Sequence, residues 1–231
     1  MLQQAALERQ LIDDASATDR HYERSLRPRA DSLSRLIDAE IRKFPTVDYV
    51  RVEHPDAHRW VLLVPMYTDI VDSAFVETAR HAVEDDWHVT DGDNDFSVHI
   101  EMRGLSPAQL YGSTPPPAKG AHIDVSSHIK RFPDGAVVLT TGANTIYSIG
   151  RVILLGPQAV IKGAIAHEFG HTLGFRDGYF RSYENLGSDG FEILEVILDP
   201  EEIVAAPENG RVRREHFEAV LNERKPRAKI N

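Results

Sequence analysis

The sequence predicts an α+β domain of the α/β type, and three observations carry that expectation. Segments rich in β-branched and aromatic residues are followed by segments of helical spacing, in the order strand, helix, strands, then a strongly apolar helix. The chain has 231 residues, of which 42% are hydrophobic and 27% charged. That length and balance suit one globular unit with a sizeable core. Residues 1–44 differ from the rest, holding no glycine and one proline, so they read as a helical extension ahead of a unit spanning 45–231.

Taken in order, "SLSRLIDAEIRKF" sets Leu33, Leu36, Ile37 and Ile41 on one helical stripe. Strands begin near residue 48 with "VDYVRVEH" and continue through "RWVLLVPMY". "DSAFVETARHAVEDDW" returns to helical spacing, with Phe75, Val76, Ala79 and Val83 on one face. "DGDND" reads as a hairpin turn, since it lacks the glycine and glutamate of a calcium loop. The strand after it alternates Phe96, Val98 and Ile100 against Ser97, His99 and Glu101. "YGSTPPPAKG" is a proline-rich loop, and "GAVVLTT" and "GRVILLG" are two more strands joined by "GANTIYSI". "HPDAH" carries His54 and His58 four apart, but Pro55 marks it as a loop, and His122, His128 and His216 have no partner spacing.

Charge and composition exclude several functions. Net charge is −10 with a pI near 5.5, so the overall field repels phosphate backbones and anionic lipid. The basic stretches "RSLRPRA" and "RVRREHF" are short and interrupted and read as solvated faces. No nucleic-acid partner is expected. Without cysteine, disulfides and thiol catalysis are excluded, and a metal must be held by His, Asp or Glu. No apolar run approaches the ~18 residues that span a bilayer, and the N-terminus lacks the pattern of a signal peptide. The chain as written reads as soluble, with no membrane partner and no fixed compartment.

The chemistry gathers at "PQAVIKGAIAHEFGHTLG", residues 157–174. Pro157 suits a first helical turn and Gly174 a left-handed stop, which predicts a helix over 157–173. Ile161, Ile165, Phe169 and Leu173 form its apolar stripe, and Gly163, Ala166 and Gly170 a small-residue face. Val160, Ala164, His167 and His171 form a third face, on which the two imidazoles stand one turn apart and can point at one ion. Glu168 lies about 100° around the helix, within reach of a water on that ion. A metal lowers the pKa of its water toward ~7, and the neighbouring carboxylate takes the proton. Catalytic zinc usually has three protein ligands. Gly174 turns the chain back and delivers Asp177 as the third.

"HEFGHTLGFRD" is HExxHxxGxxD and resembles the metzincin metallopeptidases, in the form where aspartate replaces the usual third histidine, as in the snapalysin-like group. The resemblance implies a zincin-like domain with a twisted mixed sheet and a buried active-site helix. It also implies one catalytic zinc held by His167, His171 and Asp177, and Glu168 as general base on a peptide or protein substrate. The family has a methionine-containing turn beneath the metal, but Met1, Met66 and Met102 all lie upstream of the motif. "DPEEIVAAPENG" has the character of that turn, and the resemblance places Val204 where the methionine lies. A different zinc family takes a glutamate from a later helix. "SDGFEILEVI" offers Glu192 and Glu195 for that role, although Asp177 follows directly from the glycine turn. Tyr179 and Tyr183 are candidates to stabilise an oxyanion. "AVVLTTGAN" is expected at the sheet edge, where an extended peptide can add as a strand. The expected function is a zinc-dependent peptidase; the alternative is a non-catalytic zinc- or peptide-binding domain on a degenerate metzincin scaffold.

Overall fold

The structure is a computed structural model that describes residues 47–118, 124–185, 187–197 and 199–224; the side chains of 180–185, 189, 191–196, 223 and 224 lie outside the description. The expected helices within 1–44 and the residue His122 fall outside the described residues. The chain divides into two compact units, one built around Pro45–Gly174 and Arg211–Asn231 and the other around Phe175–Gly210.

The first unit is a mixed sheet with helices. Its elements are β1 (Arg51–Asp56), β2 (Arg59–Thr68), α1 (Ser73–Asp86), β3 (His88–Asp91), β4 (Asn94–Gly104), α2 (Pro107–Tyr111) and α3 (Val125–Ile129). They continue with β5 (Val137–Thr141), β6 (Tyr147–Ile149), β7 (Val152–Leu155), α4 (Lys162–Thr172) and α5 (Arg214–Arg224). The main path is β3-β4-β2-β5-β7-β6, with β1 paired to β2 off that path. β2, β4, β5 and β7 are mutually parallel along this path, while β3 and β6 run antiparallel to their neighbours at its two ends. The long strand β2 serves two partners on one side: its first half pairs with β1, and Met66–Thr68 pair with β5.

The local chemistry explains these elements. Asp72 caps α1, accepting from the backbone N–H groups of Ala74 and Phe75 at 3.0 and 3.1 Å. Val76, Ala79 and Val83 are buried as the helical spacing requires. The β3–β4 turn places Gly92 at φ +59, a conformation that glycine adopts without a Cβ clash. β4 buries Phe96, Val98 and Ile100 and turns His99 and Glu101 outward. In β5 and β7, by contrast, Val137–Thr140 and Val152–Leu155 are all buried, as parallel strands covered on both faces must be. Val138, Val152 and Leu154 pack against Leu105, Leu110 and Phe132 from the α2–α3 region, and α4 packs on β7, β6 and α1. Each such fully buried aliphatic side chain contributes about 2 kcal/mol.

Four expectations are corrected. "AVVLTTGAN" does not form the sheet edge, because β5 lies between β2 and β7. Among the described residues that edge is β6, inside "GANTIYSI", whose three residues are too few to display alternation. The active-site helix begins at Lys162 rather than Pro157, and Ile161 is an exposed N-cap in extended conformation, not part of a buried stripe. At Gly156 a Cβ would sit 2.7 Å from the backbone nitrogen of Thr145, so the chain leaving β7 runs close against the loop before β6. "RVRREHF" is also more than a solvated face: it opens α5, which buries His216, Phe217 and Val220. "HPDAH" is not wholly a loop: His54–Asp56 end β1 and only the residues after them form its hairpin turn, Pro55 being tolerated in a strand paired on one side only.

The second unit holds β8 (Tyr179–Asn185) and β9 (Phe191–Ile197), an antiparallel pair, followed by tight turns over residues 199–210. Glu192 and Glu195 therefore lie on a strand and not on the later helix expected for them. "FEILEVI" is dominated by β-branched and aromatic residues, and its pairing with β8 overrides a helical reading. Among the described residues no helix is long and apolar enough to cross a membrane.

At the C-terminal end of β2 a polar network is buried beside the sheet. Thr140 Oγ1 donates to Asp69 Oδ1 at 2.7 Å, and His128 Nε2 lies 3.0 Å from Asp69 Oδ2. The Tyr111 hydroxyl lies 2.7 Å from His128 Nδ1. One assignment satisfies the chain of contacts: Tyr111 donates to Nδ1, and Nε2–H donates to Asp69. Burial pushes the Asp69 carboxyl up, but hydrogen bonds from His128 and Thr140 outweigh it and hold the pKa below its ordinary value. A depressed carboxylate contributes stability above its unfolded pKa of about 3.9 and loses it as pH falls through the folded value. Urea unfolding of Asp69→Asn should thus show lower stability than wild type at pH 7, with the gap closing below about pH 4. A gap that is constant from pH 7 to 3 would remove this account.

Candidate metal centre

The helix α4 is buried along most of its length. Ile165, Ala166, His167, Glu168, Phe169, Gly170 and Thr172 are all buried, and Leu173 caps it at 0% exposure. Two imidazoles in such surroundings need polar partners. His167 and His171 meet through their Nε2 atoms at 3.1 Å, with ring centroids 4.6 Å apart and planes at 84°.

Past the helix, Gly174 takes φ +103 and its N–H bonds His171 O at 2.9 Å. That reversal is open to glycine and strained for other residues. Asp177 follows, and the ligand atoms of His167, His171 and Asp177 all lie within 4.8 Å of one another. His167 is buried, His171 half-buried and Asp177 exposed. Of the expected groups, these three are brought together as a candidate metal site.

The residues fit a divalent cation of zinc type. Zinc–imidazole bonds of about 2.0–2.1 Å at a tetrahedral angle set two nitrogen ligands roughly 3.3–3.4 Å apart, and the two Nε2 atoms already stand at 3.1 Å. Two imidazoles and one carboxylate are also the kind of donor set that leaves a fourth position open in catalytic sites. Glu168 adds a second observation. Its side chain is buried, the residue being 8% exposed, and among the described residues its carboxylate has no hydrogen-bond or ion-pair partner. A buried carboxylate without a protein partner is costly unless a cation or water serves it.

Val204 is buried at 3% exposure within the turns of 199–210. Its carbonyl accepts from Gly178 N–H at 2.9 Å, so the turn holds the residue directly after Asp177. Gly178 is where that approach demands glycine, because a Cβ there would come within 2.7 Å of Ala205 Cβ. Tyr179 is half-buried at the start of β8. Tyr183 pairs with Ile193 in the same strand pair; its side chain, like those of Glu192 and Glu195, lies outside the description.

Residues that sequence reasoning passed over also attach to this region. Trp87 Nε1 donates to Ala166 O at 2.9 Å, and the Tyr49 hydroxyl donates to Thr172 O. Burial pushes the Tyr49 hydroxyl up to about 12, so it stays protonated and donating through neutral pH. The sequence gives no sign of either contact, since they join residues 79 and 123 positions apart. The glycine of "RDGYF" is a legible signal for Gly178, as a turn residue beside a ligand.

No protein-family model matches the chain, and no curated protein matches its sequence. The site therefore rests on its own geometry. Loss of the third ligand should weaken metal binding far more than loss of a bystander acid. In chelator competition, Asp177→Ala is expected to lower zinc affinity on the order of 100-fold, and Glu192→Ala to leave it within about twofold. The reverse order would move the third ligand to β9.

Proposed function

We propose that this chain is a zinc-dependent peptidase of the metzincin type, with His167, His171 and Asp177 as ligands and Glu168 as general base. The observation that carries the reading is the buried carboxylate of Glu168, without a protein partner among the described residues, on the helix that supplies His167 and His171 to a convergent triad with Asp177. Zinc bound there supplies Lewis acidity to the scissile carbonyl and lowers the pKa of its water toward about 7.

The protein's own groups carry the proton. Glu168 takes it from the attacking water and returns it to the departing amine, so that one carboxylate serves both halves of the reaction. Tyr179, two residues past Asp177, is the candidate donor to the oxyanion. The peptide is placed at β6, not at β5 as the sequence suggested. β6 ends the sheet path, has α4 packed against it and exposes Ile149 at 56%. An extended segment adds there by main-chain hydrogen bonds, with alternate side chains facing the helix. Peptide chemistry follows from the motif's resemblance, because the ligand set alone also serves other amides and esters.

A second reading is a non-catalytic zinc- or peptide-binding domain, and Val204 in place of the family's methionine favours it. Retention of Glu168 favours the enzyme, since holding zinc does not require that residue. Metal analysis together with cleavage of casein separates the two. Wild type and Glu168→Ala should each hold one zinc per chain, and the substitution should lower the cleavage rate by roughly 10²–10⁴-fold. Equal zinc content with no cleavage of casein or a broad peptide library by wild type would leave the binding domain standing.

A further inference from the structure

Coordination is demanding about helix placement. An imidazole Nε2 on α4 stands roughly 6–7 Å from the helix axis, given the 2.3 Å radius of the Cα cylinder and the reach of the side chain. A rotation of about 10° therefore moves it by roughly 1 Å, whereas metal–ligand distances tolerate about 0.2 Å. Apolar packing alone is a soft restraint on such a rotation, because the small faces of Gly163, Ala166 and Gly170 offer few interlocking side chains. Directional contacts to the helix backbone are stiffer.

Two such contacts flank the ligand pair. Trp87 Nε1–H donates at 2.9 Å to the carbonyl of Ala166, the residue directly before His167. The Tyr49 hydroxyl donates to the carbonyl of Thr172, the residue directly after His171. Thr172 O belongs to the last turn, whose carbonyls lack partners within the helix. The two carbonyls are about 9 Å apart along the axis at 1.5 Å per residue, so together they resist both rotation and sliding. Trp87 is itself fixed: it is fully buried, caps α1 through its N–H to Val83 O, and meets Phe169 edge-on at 5.4 Å and Phe217 at 6.0 Å. Phe169 lies between the two histidines in sequence, on another side of the helix.

We infer that Trp87 and Tyr49 are positioning residues, a pair of hydrogen-bonding pins that set the rotation of α4 and hence the angle at which His167 and His171 meet a metal ion. The inference rests on the metal reading above and assigns to two distant residues a role in it. Groups hydrogen-bonded directly to metal-ligating side chains typically alter metal affinity by roughly 10–100-fold, and donors one residue removed are expected toward the lower end of that range.

Cobalt(II) reports ligand geometry through its visible absorption bands, independently of any hydrolysis. The full chain, loaded with Co(II), is compared with Trp87→Phe and Tyr49→Phe, each of which removes one donor and keeps the ring. Both variants should shift or weaken the Co(II) bands and lose tenfold or more in affinity by chelator competition. Asp72→Ala is the control, since it uncaps α1 without touching α4; it should lower the melting temperature and leave spectrum and affinity unchanged. Should Trp87→Phe fail to fold, Tyr49→Phe, at a half-buried position, carries the test. Variants that match wild type in bands and affinity overturn the pins alone. A wild-type chain that takes up no Co(II) or Zn(II) overturns the metal reading and the pins with it.

Discussion

Two imidazole nitrogens 3.1 Å apart on a largely buried helix cannot both present lone pairs to each other. Something positive must lie between them, a proton on one ring or a cation shared by both. The rest of the site is organised around that demand. Asp177 is carried back by the reversal at Gly174 to supply negative charge beside them, and Glu168 is left buried with no protein group among the described residues to answer it. A single proton between the rings would satisfy the histidines but would not answer the buried carboxylate of Glu168. Under the proposed function, a divalent cation held by His167, His171 and Asp177 would meet both demands.

The fold places that demand on a firm base. α4 lies on β6 and β7 and against α1, so the ligand helix packs on the strands next to it in sequence and on the helix that precedes β4. The parallel strands β5 and β7 are covered on both faces, which removes water from beneath the helix. Elsewhere in the same unit the Tyr111–His128–Asp69–Thr140 network is satisfied internally, so it sits beside the core without asking for a ligand. That closed network contrasts with Glu168, whose buried carboxylate has no protein partner among the described residues.

Much of this is legible in the residues. The ligand spacing depends on helical geometry and one glycine, both local, and α1, the β3–β4 hairpin and β4 follow from capping, turn chemistry and alternation. The parts that escape a sequence reading share a cause. β6 is three residues long, and its role as edge is a property of strand order, which no local pattern records. α4 begins at Lys162 rather than Pro157, and the close approach of Gly156 to residues 144–145 just before it is a tertiary contact that no local pattern records. "FEILEVI" is ambiguous by period and is settled by its antiparallel partner. α5 begins in a charged stretch whose buried Phe217 and Val220 are too sparse to advertise an apolar face. Trp87 and Tyr49 reach α4 through the tertiary fold alone.

The three candidate ligands all fall between residues 167 and 177, and this locality has a thermodynamic consequence. Cross-linking distant parts of a chain removes much denatured-state entropy, but closing so short a loop removes little, since that term grows with loop length. The ion would act as a rivet in one bend and not as a brace across the molecule. Its removal would slacken the bend after Gly174 while the sheet, held by its own hydrophobic packing, stayed intact. On the metal reading proposed above, the site could be emptied and refilled without passing through the unfolded state.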